Sequence, residues 1–378
     1  MKQAIMIGAG NIGRGFIGAI LSRSGYHVTF ADVNMTLIDA INAEGRYTVH
    51  IQDRDPAAFT ITNIDGISSA GPELAEALKT AELVTTAVGL RILPIVAKPI
   101  AARKAAGNTA PLNIVACENA VRATSQLKNA VYALLDDETK AFADANVGFA
   151  DCAVDRIVPK MDFADPLDVA VEEFSEWDVE RSGWKGELPQ IDGMSVVDDL
   201  SAYIERKLFT LNSGHAICAY LGCLRGHQTI LDSVNDPIIG PIVYKAMQQS
   251  GAGLVKKFSM DAEKHQAYID RIFARFHNPY LQDEVARVGR EPIRKLAASD
   301  RLINPLLTAY NFGMKVDQLI FGAAAALRYD NAEDPQSVEL QKTIAEQGAA
   351  AALEQYSGLA ADHPLSARIL DVYRALAV

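Results

Sequence analysis

The stretch from Gln3 to Val33 constrains the chain more than any later segment. QAIMIG (3–8) is a short apolar run ending in glycine, the pattern of a strand buried on both faces of a parallel sheet. GAGNIG follows, with Gly8, Gly10 and Gly13 at the dinucleotide-binding spacing. A helical pattern through Phe16, Ile17, Ile20 and Leu21 comes next and is stopped by Gly25. HVTFADV is strand-like again and carries Asp32 near its end. Gly8 permits the tight turn, Gly10 lets the backbone approach a pyrophosphate, and Gly13 lets helix and strand pack closely. Asn11 and Ile12 complete the loop, and the helix N-terminus offers unpaired N–H groups to phosphates. Asp32 falls where a carboxylate accepts both ribose hydroxyls. It would repel a 2′-phosphate, and Val33 and Asn34 supply no arginine to hold one. The expected cofactor is therefore NAD(H), not NADP(H).

The βα rhythm continues. Residues 35–44 read as helix, 47–52 and 58–64 as strands, and 73–81 as helix. Leu83–Gly89 reads as a strand, 92–105 as helix, Leu112–Asn119 as a strand and 120–134 as helix. Ligands gather at the carboxyl ends of strands in open α/β sheets, which makes Val88, Gly89, Glu118 and Asn119 site candidates. Asn119 reads equally well as the N-cap of the helix at 120–134. Val147–Pro159 is another strand-like run, and its Asp155 and Arg156 read most simply as an ion pair between domains. Residues 169–177 form the last strand. SGWKGELPQIDG (182–193) has linker composition, so the boundary falls near residue 194. The expected fold class is an α/β Rossmann-type dinucleotide-binding domain over 1–194, followed by a mostly α-helical domain over 195–378.

In that second part the period turns helical, and KLFTLNSGH (207–215) carries the chemistry. On a helix, Asn212 lies about 140° and His215 about 80° around from Lys207, so all three can share one side. Leu208, Phe209 and Leu211 interleave them and predict burial. An amine, an amide and an imidazole on a partly apolar wall suit proton transfer at a hydroxyl or carbonyl. The alternative is a core helix with a snorkelling lysine and a satisfied histidine. A straight helix separates Lys207 and His215 by about 12 Å of rise. Either the lysine leans towards Asn212 while His215 grips a more distant hydroxyl, or Ser213–Gly214 distorts the helix. The first is preferred, because it gives the histidine a substrate-positioning task.

A formal net charge of -11 argues against nucleic-acid and anionic-membrane partners, and obliges any anionic substrate to find a local basic pocket. Arg287, Arg290, Arg294, Lys295 and Arg301 supply such a cluster. They read either as that pocket or as a solvated helical face paired with Glu284, Glu291 and Asp300. The start MKQAIMIGAG has no secretory pattern and no run has the 18 or so apolar residues of a membrane span, so a cytoplasmic location is expected. Cys117, Cys152, Cys218 and Cys223 lack zinc-ligand spacing and read as buried thiols, and no constellation suits catalytic zinc.

With IGAGNIGRGFIG, TTAVG, ACENAVR, DRIVP, ERKLFTLNSGHA, RVGREPIRKL and DRL in view, the chain resembles the polyol-specific long-chain dehydrogenases over essentially its whole length. The K-x4-N-x2-H pattern at 207–215 is that family's catalytic signature. The resemblance implies NAD-dependent, metal-free interconversion of mannitol 1-phosphate and fructose 6-phosphate, with a small-molecule sugar or polyol phosphate as partner. It implies Lys207 as general acid–base, Asn212 and Asn119 stabilising the developing oxyanion, and His215 orienting substrate. The phosphate would fall to Arg287, Arg290, Arg294 and Lys295. Free mannitol 2-dehydrogenases and hexuronate reductases share these motifs in typically longer chains. A non-catalytic NAD-sensing regulator on the same fold would have no reason to set Lys207, Asn212 and His215 on one wall.

Overall fold

The computed structural model describes residues 1–53, 55–89, 97–159, 161–281 and 283–376. The chain divides into two compact units, Met1–Leu200 and Ser201–Val378. The strands in order are β1 (Lys2–Ile7), β2 (Tyr26–Asp32), β3 (Tyr47–Ile51), β4 (Ala57–Ile61), β5 (Ile64–Ser68) and β6 (Leu83–Thr86). They continue with β7 (Leu112–Ala116), β8 (Val147–Phe149), β9 (Cys152–Asp155), β10 (Val169–Val171), β11 (Glu176–Glu180) and β12 (Ser195–Val197).

Six of them form the parallel sheet β5-β2-β1-β6-β7-β8, the Rossmann order. The order reverses between β1 and β6, where such sheets open a crevice for ligand. β1 explains why its sequence is apolar throughout. Ala4 and Met6 enter the core on one face with Phe16, Ile17, Phe30 and Trp177, while Ile5 and Ile7 enter the other with Val84, Ile114 and Leu127. Two smaller sheets, β10-β3-β4 and β12-β11-β9, belong to the same unit.

Several expected elements divide. The run Val147–Pro159 gives β8 in the main sheet and β9 in a small one, with buried Asp151 between them. Its carboxylate accepts from Ser125 N–H at 2.9 Å and from Arg122 at 3.2 Å. The strand expected at 169–177 is likewise two, β10 and β11. Arg156 does not pair with Asp155, its neighbour on the opposite face of a strand end. It donates to the Glu172 carbonyl at 3.0 and 2.9 Å, within the first unit. Of the helix expected at 92–105, residues 92–96 lie outside the described residues and Ala97–Ala105 is helical. No helix among the described residues is long and apolar enough to cross a membrane.

The second unit is helical. Ser213–Leu224 is its central helix, buried on nearly every face and packed against Ile239–Phe258 and Asp317–Leu327. Beside them lies buried His265, and among the described residues neither of its ring nitrogens has a hydrogen-bond partner. Burial, reinforced by the Arg206 charge, lowers its pKa to about 4. An unfolded histidine takes up its proton near 6.5, so between about 6.5 and 4 the unfolded chain binds more protons than the folded one. Stability is therefore lost as pH falls through that window. Urea unfolding at pH 7 and pH 5 should show His265→Leu losing less stability on acidification than the parent, by about 2 kcal/mol.

Candidate active site

In the first unit the glycine loop joins β1 to a helical stretch over 11–23, of which Gly13–Gly18 is π-helical and Ala19–Arg23 α-helical. Gly8 has φ +102°, and a Cβ there would lie 2.6 Å from the Ala87 carbonyl oxygen. A Cβ on Gly13 would lie 1.9 Å from the Gly8 oxygen. Both positions are closed to any side chain. Beside Gly10 a Cβ would meet nothing within 4 Å, so the loop is packed beneath and open above it. Asn11 and Ile12 are exposed at the helix start. This backbone-walled cradle at a helix N-terminus fits a phosphate group.

Asp32 does more than its position suggested. Its Oδ2 accepts from Ala9 N–H at 2.7 Å and its Oδ1 from Asn34 N–H at 2.9 Å, so it ties the end of β2 to the glycine loop. Val33 beside it is 72% exposed, and Asn34 caps the helix Met35–Glu44 through a bond from Leu37 N–H. Glu118 is engaged from the side. It accepts from Thr86 Oγ1 at 2.8 Å, Val88 N–H at 2.9 Å and Gly89 N–H at 3.0 Å, clamping the loop after β6 to the end of β7. Asn119 is exposed just beyond. It does not cap the next helix, Ala123–Tyr132, whose N-cap is Arg122 in the left-handed region. Sequence reasoning missed Arg14, which is 3% exposed and donates to Leu167 O at 3.0 Å and to Ala9 O. A charge inside an apolar helical pattern was the available signal.

In the second unit Lys207, Asn212 and His215 lie on one continuous helical stretch that is not straight. Leu200–Lys207 is α-helical, Leu208–Asn212 π-helical, and Ser213–Leu224 α-helical again. The Ser213 N–H reaches back five residues to Leu208 O. Of the two geometries weighed above, a distortion is present, but it precedes Ser213–Gly214. Closing each turn one residue later brings residue i+5 towards the side of residue i, so Asn212 swings back towards the side that bears Lys207. Phe209 and Leu211 are buried as their apolar character predicts, and Lys207 is half-buried. Gly214 serves packing: a Cβ there would meet the Met247 side chain at 2.9 Å.

Asn212 and His215 line a cavity of about 490 Å³ together with Arg287, Arg290, Arg294, Lys295 and Arg301. Lys207 is not among the lining residues. The structure thus brings the sequence-distant cations to the signature helix, and the solvated-face reading accounts for only part of them. Arg287 pairs with Asp283, Arg294 with Glu291 and with Asp300 at 3.1 Å, and Arg301 with Asp300 at 2.8 Å. Five cations meet three carboxylates, an excess of two positive charges. Among the described residues Arg290 and Lys295 have no carboxylate within ion-pairing distance. Lys295 is 4% exposed and donates to the Arg290 carbonyl. Among the described residues no three His, Cys, Asp or Glu side chains are grouped to hold a metal ion.

Two family models match the chain, the mannitol dehydrogenase Rossmann domain over residues 2–193 and the mannitol dehydrogenase C-terminal domain over residues 199–377. The chain belongs to the mannitol dehydrogenase family. Similar solved structures include Pseudomonas fluorescens mannitol 2-dehydrogenase in a ternary complex with NAD and D-mannitol. It is 17% identical with a TM-score of 0.71, over 99% of this chain and 92% of that one. A D-sorbitol dehydrogenase in substrate-free form is also 17% identical, with a TM-score of 0.74 over 93% of this chain and 94% of that one. At such identity the likeness establishes the fold.

Burial, and then the charges of Arg301 and Arg294, push the Lys295 ammonium down to about 8. The cation is present below that pH and lost above it. Sulfate keeps its charge throughout, so calorimetric titration should show its affinity for the cavity falling as pH rises from 7 to 9. In Lys295→Met that fall should flatten.

Proposed function

We propose that the chain is an NAD-dependent oxidoreductase that interconverts D-mannitol 1-phosphate and D-fructose 6-phosphate, a mannitol-1-phosphate 5-dehydrogenase. The observation that carries the phosphate is the excess of two positive charges in a cavity lined by Asn212 and His215, within a protein of net charge -11. A phosphate monoester near neutrality carries up to two negative charges. A neutral polyol would leave those cations facing one another uncompensated. The cradle between Gly8 and Gly13 and the carboxylate of Asp32 support NAD.

Bound NAD supplies a nicotinamide that accepts or returns the hydride. The remaining work falls to side chains. In the oxidative direction Lys207 takes the proton of the reacting hydroxyl and returns it in reduction. The π-turn supports a shared task for Lys207 and Asn212, whose amide N–H donates to the alkoxide-like oxygen. Asn119 is the candidate for a second donor, each such bond contributing about 10²–10³ in rate. His215 binds a hydroxyl further along the substrate, while Arg290, Arg294, Arg287 and Lys295 take the phosphate.

The free-polyol reading has its own support in the resemblance to the mannitol 2-dehydrogenase structure, and one assay separates the two. With NADH, fructose 6-phosphate should turn over far better than fructose, and Arg290→Ala should raise KM for fructose 6-phosphate at least about tenfold, the scale of one charge-assisted contact. Equal turnover of the two sugars would discard the phosphate. Lys207→Ala should lose turnover by several orders of magnitude while NADH binding, followed by fluorescence, stays unchanged. Surviving turnover would remove Lys207 from proton transfer.

A further inference from the structure

His215 has one polar atom engaged and one available. Its Nε2 lies 3.2 Å from Asp283 Oδ2. Its ring lies flat against Phe276, with centroids 5.2 Å apart and planes within 15°. Together the two contacts fix both the plane of the imidazole and its rotation within that plane. An ionised carboxylate can only accept, so Nε2 carries the hydrogen, and in the neutral ring Nδ1 is left as a lone pair. Nδ1 bonds to no described residue, and the ring lines the cationic cavity.

Asp283 is itself held in place. Its carbonyl accepts from Ile230 N–H at 2.8 Å, and Thr229 forms an antiparallel bridge with the adjacent Glu284. Its carboxylate also accepts from Arg287, another wall residue of the cavity. Burial opposes ionisation of this carboxyl, but the hydrogen bond from His215 and the contact with the Arg287 guanidinium outweigh it and hold it below the usual carboxylate range.

We propose that Asp283 is a positioning residue that fixes His215 in the tautomer whose Nδ1 accepts a hydrogen bond from a substrate hydroxyl. The inference rests on the reading that this cavity receives a sugar phosphate. Asp283 touches no substrate itself. It determines which of two chemically different edges His215 presents to the cavity.

Asn at this position keeps the shape but can offer an N–H to Nε2, which moves the ring hydrogen to Nδ1 and turns an acceptor into a donor. The test uses the full chain as Asp283→Asn and Asp283→Glu beside the parent, with ¹⁵N-histidine spectra assigned through His215→Gln. The parent should show His215 protonated at Nε2, and Asp283→Asn at Nδ1. Fructose 6-phosphate reduction should fall in kcat/KM by about ten- to hundredfold in Asp283→Asn, the range for losing an outer partner that orients a histidine. Asp283→Glu should recover part of that loss. Sulfate should bind Asp283→Asn as tightly as the parent or more so, because a negative charge beside Arg287 has gone. An unchanged tautomer in Asp283→Asn overturns the proposal, and so does a loss of sulfate binding alongside turnover, which would mark a merely structural role. A parent that ignores sulfate and prefers fructose overturns the phosphate reading instead, and the tautomer measurement stands apart from that outcome.

Discussion

One extra residue in a helical turn organises the second unit. A π-turn leaves a carbonyl that no longer meets its usual amide, and something else has to satisfy it. At Leu208–Asn212 that partner is Ser250, whose Oγ lies 2.9 Å from Phe209 O. Ser250 is fully buried on Ile239–Phe258, so the distortion is built into the packing of two central helices. Removing it would rotate everything after Asn212 relative to everything before Lys207. The other π-helical segment among the described residues, Gly13–Gly18, directly follows the glycine loop. Both irregular turns thus stand at the chain's two signature motifs, where rigid helices would have fixed the wrong angles.

Electrostatic restraint shapes the cavity in a similar way. Five cations crowded together repel one another, and three carboxylates placed among them reduce that cost without cancelling the field. The residual charge rests on an exposed guanidinium, Arg290, and on a buried ammonium, Lys295, which gains most from an arriving anion because solvent helps it least. In the first unit Asp32 and Glu118 use their oxygens to fix loops from behind, accepting backbone N–H groups near the ends of β2, β6 and β7. Carboxylates in both units therefore set geometry as well as charge.

Much of this was legible in the chain because it depends on local rules. A strand buried on both faces must be apolar throughout, and glycines fall where a Cβ would strike a carbonyl, so β1, the loop and β2 could be read directly. The edge strand β5 was missed because IDGIS carries few apolar residues and follows β4 after a short turn. The π-turn was hidden because LFTL satisfies either helical period. The partner of His215 was hidden for another reason: an ion pair between residues far apart in sequence leaves no local pattern, and Asp283 looks like any acid near basic residues. Arg156 likewise gave no local sign of its partner, the Glu172 carbonyl sixteen residues on.

The cationic cavity also limits what its own affinity can accomplish. On the proposed reading, oxidation at the far end of the substrate leaves the phosphate untouched. The four cations assigned to the phosphate then grip polyol, ketose and the state between them with equal strength. Such uniform binding gathers dilute substrate but lowers no barrier by itself. Nor can it bias the enzyme-bound equilibrium towards either sugar. Direction and rate are left to the groups that sense the changing oxygen, and the phosphate serves as a handle by which a flexible open-chain sugar is held still for them.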